Sequence, residues 1–518
     1  MDRPRTRSMS LKQYDDLEPS LGSNTIPPST PHPSQQFDET NSNSTQPLGT
    51  TAPRLIRFPE KLNTIAKRNF HNTQMPPPPL AHSAPAAFEI QSGSRAEETP
   101  IKMPAGDFGV PGRETHDAID SVLVRQLKHA HAKGLVGLDR LKFPDECFPF
   151  DIRKCTEQIL RPKGNKKKIY ENNAWINYPV ASTPHNARES KVCDIFNSIG
   201  EIIMKAGGLG SKLVRKWTTR FASSPVPHDK CTRQPDITLM NTTYIDVPKH
   251  RINWRLALGD TELKIGATVK EEDNKMQLAQ TARLIFGAQP DRRFVLGLSL
   301  INSKMTLYVF NRGCIMSADT FDVHQQPERL IRIVAGFMFA NREYLGFDKK
   351  MEITEVDGQC SGTVTINANT YVIEEVLHVE DVLRGRATVC LRVTRDGQTC
   401  VVKNAWVDAS REVKEPQILQ KLEGVENVTQ LVEYECVKLD AETVDSTIVD
   451  IEQLTKSGQL TEDQKKQARR LDNRQQVRVV LSPFGRPLRR FRSIRELFRV
   501  FLNTVEGKQD DYLSPYVY

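Results

Sequence analysis

Apolar and polar positions along the chain divide it into segments of different period. Ile119, Val122, Leu123 and Leu127 recur at helical spacing, and Gly134 is expected to stop that run. A polar stretch crosses residues 161 to 190. Beyond it, "SKVCDIFNSIGEIIMKAGG" sets Val192, Ile195, Phe196, Ile199 and Ile203 on one helical stripe, which Gly207 and Gly208 end. Strand alternation follows in "PDITLM" and "INWRLALGDTELKIG". Leu278, Ala282, Ile285 and Phe286 then predict a helix over roughly 274 to 288. The segment "RRFVLGLSLINSKMTLYVFN" predicts a hairpin turning at Asn302 to Lys304. Pro327 suits the first turn of a long helix, and Gly346 suits its exit near Leu345.

From about residue 350 the pattern changes to short strands: "TYVIEEVLHV", "TVCLRVTRDG", "QTCVVKNAW", "QLVEYECVKL" and "QVRVVLSP", interrupted by one helix around 412 to 422. The fold class expected is therefore α+β: a mixed α/β middle domain over 185–350 and a five-stranded unit with one helix over 351–506. A helical and linker segment over 114–184 precedes them, and a tail of 507–518 follows. Residues 1–113 are rich in Pro, Ser, Thr and Asn and include "PPPPL"; they cannot bury enough apolar area to offset chain entropy and are expected to be a disordered arm.

Composition narrows the setting. At 518 residues the chain has room for two or three domains, and 38% hydrophobic residues suit a soluble protein with much polar surface. No apolar run is long enough to span a bilayer, and the N-terminus lacks the apolar core of a secretory signal. Nine cysteines without a CxxC pair fit reduced thiols, so the expected location is intracellular, cytoplasmic or nuclear, with no membrane partner. A net charge of +8 is compatible with nucleic acid without requiring it. The basic runs "RPKGNKKK" and "GRPLRRFRSIRELFR" read first as solvated surface.

Three motifs bear on chemistry. "MPAGDFGVPG" contains Asp107, Phe108 and Gly109, the triplet with which kinases hold magnesium, but it lies in the proline-rich arm and reads as a chance match. In the middle domain, Pro235 and Asp236 open one strand; Glu262 and Lys264, two apart on another, point to one face; Gln277 sits on the next helix. The order helix, strand, ExK strand, helix, strand resembles PD-(D/E)xK nucleases, a restriction-endonuclease-like fold. That resemblance implies Asp236 and Glu262 as Mg²⁺ ligands, Lys264 beside the attacking water and Glu201 as a further acid. Arg292 and Arg293 would serve a nucleic-acid groove, but "QPDRRF" equally well starts a hairpin. The chance explanation is that PD and ExK recur in any charged chain.

The third motif is the most specific. "TVCLRVTRDGQTCVVKNAW", "EPQILQKLEGVENVTQL" and "VRVVLSPFGRPLRRFRSIRELF" occur in the order of the first half of a kinase catalytic domain. With "QPDRRFVLGLSL", "LYVFNRGCIMSADTFDV" and "YLGFD" upstream, residues 180 to 505 resemble the fungal-type protein kinase family. The resemblance implies a kinase small lobe, ATP and Mg²⁺ as cofactors, and ancestral phosphorylation of protein Ser/Thr. Lys403 takes the position of the phosphate-holding lysine and Glu415 that of its helix carboxylate, with Glu412 as the alternative. The phosphate-covering loop keeps Gly385 but has Ala387 and Cys390 in place of the other glycines, which crowds a loop that works through bare N–H groups. Pro416 places Glu415 at a helix entrance. No HRD occurs in the sequence, so the expectation is a partial domain without transfer activity: a truncated gene, a decayed paralogue or a regulatory fragment. A non-catalytic module that binds a protein partner through the small lobe's sheet and "RRFRSIRELFR" is the remaining alternative.

Overall fold

The computed structural model describes Leu127 and residues 130–512, apart from 165–166, 229–230, 357–358 and 486–490. The expected arm and the Asp107 triplet lie outside the described residues. Those described belong to one compact unit built on two large sheets.

The first sheet is eight-stranded. Its strands are β1 (His131–Leu135), β4 (Arg215–Thr218), β5 (Ile237–Asn241), β6 (Gly259–Lys264), β7 (Phe294–Ile301), β8 (Lys304–Asn311), β9 (Ile315–Ala318) and β10 (Phe321–Asp322), with the short β2 (Tyr170–Glu171) and β3 (Ala174–Trp175) forming a separate ribbon. The order is β1-β9-β8-β7-β6-β5-β4, with β10 beside β8; β1 and β9 are parallel, as are β6 and β7, and the other neighbours are antiparallel. Helices cover both faces, which is why β7 and β8 are buried along almost their whole length rather than alternating. Short α1 (Leu138–Lys142), α2 (Ile152–Leu160) and the long α3 (His185–Ala206) lie toward one core; α4 (Glu271–Ala288) lies toward the other; α5 (Pro327–Phe339) completes the first. Leu296, Leu298 and Leu300 of β7 meet Phe196 and Ile199 of α3 and Val334 of α5 in that first core. Val295 joins Leu278, Ala282 and Phe286 of α4 in the second.

The second sheet is seven-stranded: β11 (Met351–Val356), β12 (Gln359–Ile366), β13 (Asn369–Val379), β14 (Val389–Arg395), β15 (Gln398–Asp408), β16 (Gln430–Cys436) and β17 (Arg474–Ser482). All pairs are antiparallel, in the order β11-β12-β13-β14-β15-β17-β16. One face buries Ile353, Val364, Ile373, Leu391, Val402 and Val480. The other buries Ala405, Val477 and Val479 against Leu419 of α6 (Glu415–Lys421). Between β16 and β17 the chain makes a detour through α7 (Val449–Lys456) and α8 (Glu462–Ala468), which sends Ile451, Leu454 and Leu460 into the first sheet's core. A final helix, α9 (Ile494–Tyr512), exposes Ile494, Phe498, Phe501, Leu502 and Val505. Among the described residues no helix is long and apolar enough to cross a membrane.

Five expectations change. Gly134 lies within a strand, not at a helix end: residues 131–135 form β1 beside β9, with Gly134 at φ 65°, while Ile119, Val122 and Leu123 lie outside the described residues. The strand expected from Ile252 begins only at Gly259, since residues 254–256 form a 3₁₀ turn that buries Trp254. The helix from Pro327 stops at Phe339 and a 3₁₀ turn carries the chain to Gly346. The second sheet has two strands more than the five expected, β11 and β12. The helix of the 412–422 region begins only at Glu415 and ends at Lys421.

Candidate nucleotide site and the buried acid cluster

The second sheet positions Lys403. It lies on β15, paired in register with Cys390 of β14 on one side and Val479 of β17 on the other, so its side chain leaves the sheet on the face that α6 covers. Glu415 is the first residue of α6. Pro416 follows at a position where its missing N–H costs nothing, and Gln417 caps the turn by accepting from the backbone N–H of Lys414 at 2.8 Å. Lys403 Nζ donates to both carboxylate oxygens of Glu415, at 2.6 and 2.7 Å. Glu412 is exposed and outside the helix. The pair is partly open, with 21% of the lysine side chain and 30% of the glutamate side chain accessible, so Coulomb attraction there is screened by water.

The loop between β13 and β14 borders the same site. Gly385 has φ 138° and Ala387 φ 45°, a left-handed conformation that a side chain rarely adopts. Leu383 is buried in the second core of the first sheet. Asp381 pairs with Arg283 of α4 at 3.2 Å, and Arg312, stacked over Phe286, donates to the carbonyl of Val382 at 2.6 Å. Arg386 reaches Glu415 Oε2 at 3.3 Å. Cys390 lies directly across from Lys403, and burial pushes its thiol up.

The first sheet brings together another set. Asp236 precedes β5, and its Oδ2 accepts from the backbone N–H of Leu263 at 2.8 Å and from Lys264 Nζ at 3.3 Å. Lys264 Nζ lies 3.7 Å from Glu262 Oε2, and Arg233 binds Glu262 Oε1. Glu262 and Asp260, two residues apart on β6, are both buried. Burial pushes Glu262 well above the usual carboxylate range, helped by the neighbouring Asp260 and Asp236 and opposed by Arg233 and Lys264. Burial likewise raises Asp260, to about 6. Asn274 of α4 donates to the Glu262 carbonyl at 3.1 Å, and Arg233 Nε donates to Thr281 of the same helix at 3.2 Å. Gln277 is half-buried on α4, and Glu201 is exposed on α3. Among the described residues no group of three or more His, Cys, Asp or Glu is placed to hold a metal ion.

Arg292 and Arg293 are both engaged inside the protein. Arg292 is buried and donates to the carbonyls of Leu345 and Leu258, while Arg293 pairs with buried Asp445 at 2.5 and 2.6 Å. Both guanidiniums satisfy internal acceptors that would otherwise be left without partners.

Sequence reasoning missed Arg386, Arg233 and Asp260. Alternation along β6 would have placed Asp260 with Glu262; nothing local marks the two arginines, whose partners are 29 residues away in each case.

The family described as Fungal protein kinase has a sequence profile that matches residues 234–514, from the segment that carries Asp236 through β5 to β10 and the second sheet to α9. The match spans more than half of the chain, and the protein belongs to that family. Comparison with curated proteins and with solved structures gave no match.

Proposed function

We propose that the second sheet with α6 is the small lobe of a protein kinase fold and that the Lys403–Glu415 pair holds the phosphates of ATP. The observation that carries this reading is the contact of Lys403 Nζ with both carboxylate oxygens at the entrance of α6. A carboxylate in that position orients the ammonium so that it can meet the α- and β-phosphates instead of sampling solvent. Magnesium, when bound with ATP, would neutralise phosphate charge. The role proposed is nucleotide binding in a kinase-like protein. The test is thermal unfolding with and without ATP. Wild-type protein is expected to unfold several degrees higher with ATP present, whereas Lys403→Ala is expected to show no shift; equal shifts would remove the assignment.

A second reading concerns the first sheet. The succession α3, β4, β5, β6, α4, β7, with Asp236 ahead of β5 and Glu262 and Lys264 on β6, favours a nuclease-like scaffold. Its carboxylates, however, already meet cations of the protein, Arg233 on Glu262 and Lys264 between the two acids. The scaffold is therefore read as retained without cleavage. Mg²⁺-dependent cutting of DNA by the wild type, lost in Glu262→Ala, would overturn this.

A further inference from the structure

The loop from Glu380 to Thr388 stands where a kinase needs bare backbone N–H groups to cradle phosphate, yet four of its N–H groups are bonded within the protein. The N–H of Glu380 donates to Thr388 O at 2.9 Å, that of Val382 to Glu380 O at 3.0 Å, that of Gly385 to Arg312 O at 3.0 Å, and that of Thr388 to Glu380 Oε2 at 2.9 Å. The loop is also fixed at two interior points, by Leu383 in the first sheet's second core and by Arg386 O accepting from Trp406 N–H of β15 at 2.7 Å. A loop held in this way cannot supply those four N–H groups to a ligand without breaking its own bonds.

What it does present is a side chain. Arg386 Nη2 and Lys403 Nζ both contact Glu415 Oε2, at 3.3 and 2.7 Å. Two cations thus share one carboxylate, which leaves the trio with an excess positive charge beside an open face; 47% of the Arg386 side chain is accessible. A guanidinium binds phosphate oxygens through two parallel N–H donors, a geometry an ammonium lacks. Because the backbone of Arg386 is tied to the same strand that carries Lys403, the two cations are held within reach of one di- or triphosphate before any ligand arrives.

We infer that Arg386 is a phosphate-binding residue, which replaces the missing glycine N–H groups and, with Lys403, grips the polyphosphate of a nucleotide. This rests on the nucleotide reading of the Lys403 site. The experiment is titration of the full chain with a fluorescent ATP analogue, for wild type, Arg386→Ala, Arg386→Gln and Arg386→Lys, with the unfolding midpoint of each variant measured alongside. Loss of one charge-assisted phosphate contact is expected to weaken binding by roughly tenfold or more in the Ala and Gln variants. Arg386→Lys should recover part of the loss, since it restores charge without the planar fork. Unchanged unfolding midpoints would separate a ligand contact from a structural one. Saturable wild-type binding with equal or tighter binding by Arg386→Ala and Arg386→Gln would overturn the inference and make Arg386 a competitor for Glu415. Absence of saturable binding by the wild type would overturn the nucleotide reading itself, and the role of Arg386 with it.

Discussion

His131 shows how a single side chain can tie stability to pH. Its Nε2 lies 3.0 Å from the Ser317 hydroxyl, and the ring packs near Tyr308. Burial, with Lys275 and Lys133 adding like charge, lowers its pKa from 6.5 to about 3. The folded ring therefore stays neutral over a range in which the unfolded ring takes up a proton. Since the unfolded state binds the extra proton, stability is present above pH 6.5 and is lost as pH falls toward about 3. At pH 5 the cost is about 2 kcal/mol. His131→Gln, which keeps a polar group for Ser317 but cannot be charged, is expected to flatten the acid limb. Urea midpoints at pH 5 and pH 7 would differ less in the variant than in the wild type; an identical pH dependence would rule out this histidine as the cause.

Among the elements, the passage from α5 into the second sheet depends on one backbone conformation. Gly346 has φ 98°, accepts from the N–H of Arg293 at 2.7 Å, and follows the 3₁₀ turn of Arg342–Leu345. A Cβ at this position would run into the carbonyl of Phe294 on β7. Strain and overlap combine, so Gly346→Ala is expected to destabilise the protein by at least about 2 kcal/mol, read from the denaturation midpoint. Near-wild-type stability would mean that the chain can pass Phe294 by another route. The sequence marked this glycine as a helix exit; that it lies against a strand carbonyl was visible only in three dimensions. The loop after β13 is similar. Gly385 alone kept its resemblance to a phosphate loop, and the partners that Leu383, Asp381 and Val382 meet to fix it lie far away in the chain.

Across the whole molecule, the two sheets are joined by more than one strap. Ile451, Leu454 and Leu460 from the detour between β16 and β17 sit in the first sheet's core, where Lys142 pairs with Asp450. Arg293 pairs with Asp445 across the same boundary. Beneath the second sheet, Arg478 is fully buried and meets Asp348 and Glu435, a set that is stable only while all its partners remain. The sheets are therefore expected to open together. Hydrogen exchange should give β7 and β15 the same free energy of opening; much faster exchange in β15 would show that the second sheet unfolds on its own.

Several features were legible from the chain itself because they depend on local chemistry: the helical stripe of α3, the hairpin at Asn302, the strand that carries Lys403, and Glu415 at a helix entrance set by Pro416. These follow from periodicity and backbone preference, which act over a few residues. Tertiary structure alone decided that residues 131–135 become a strand beside β9, that Arg292 and Arg293 turn inward, that Arg233 takes Glu262, and that Arg386 joins Lys403 on Glu415. Each is a contact between distant parts of the chain, and its energy exists only once folding has removed water and brought the partners together.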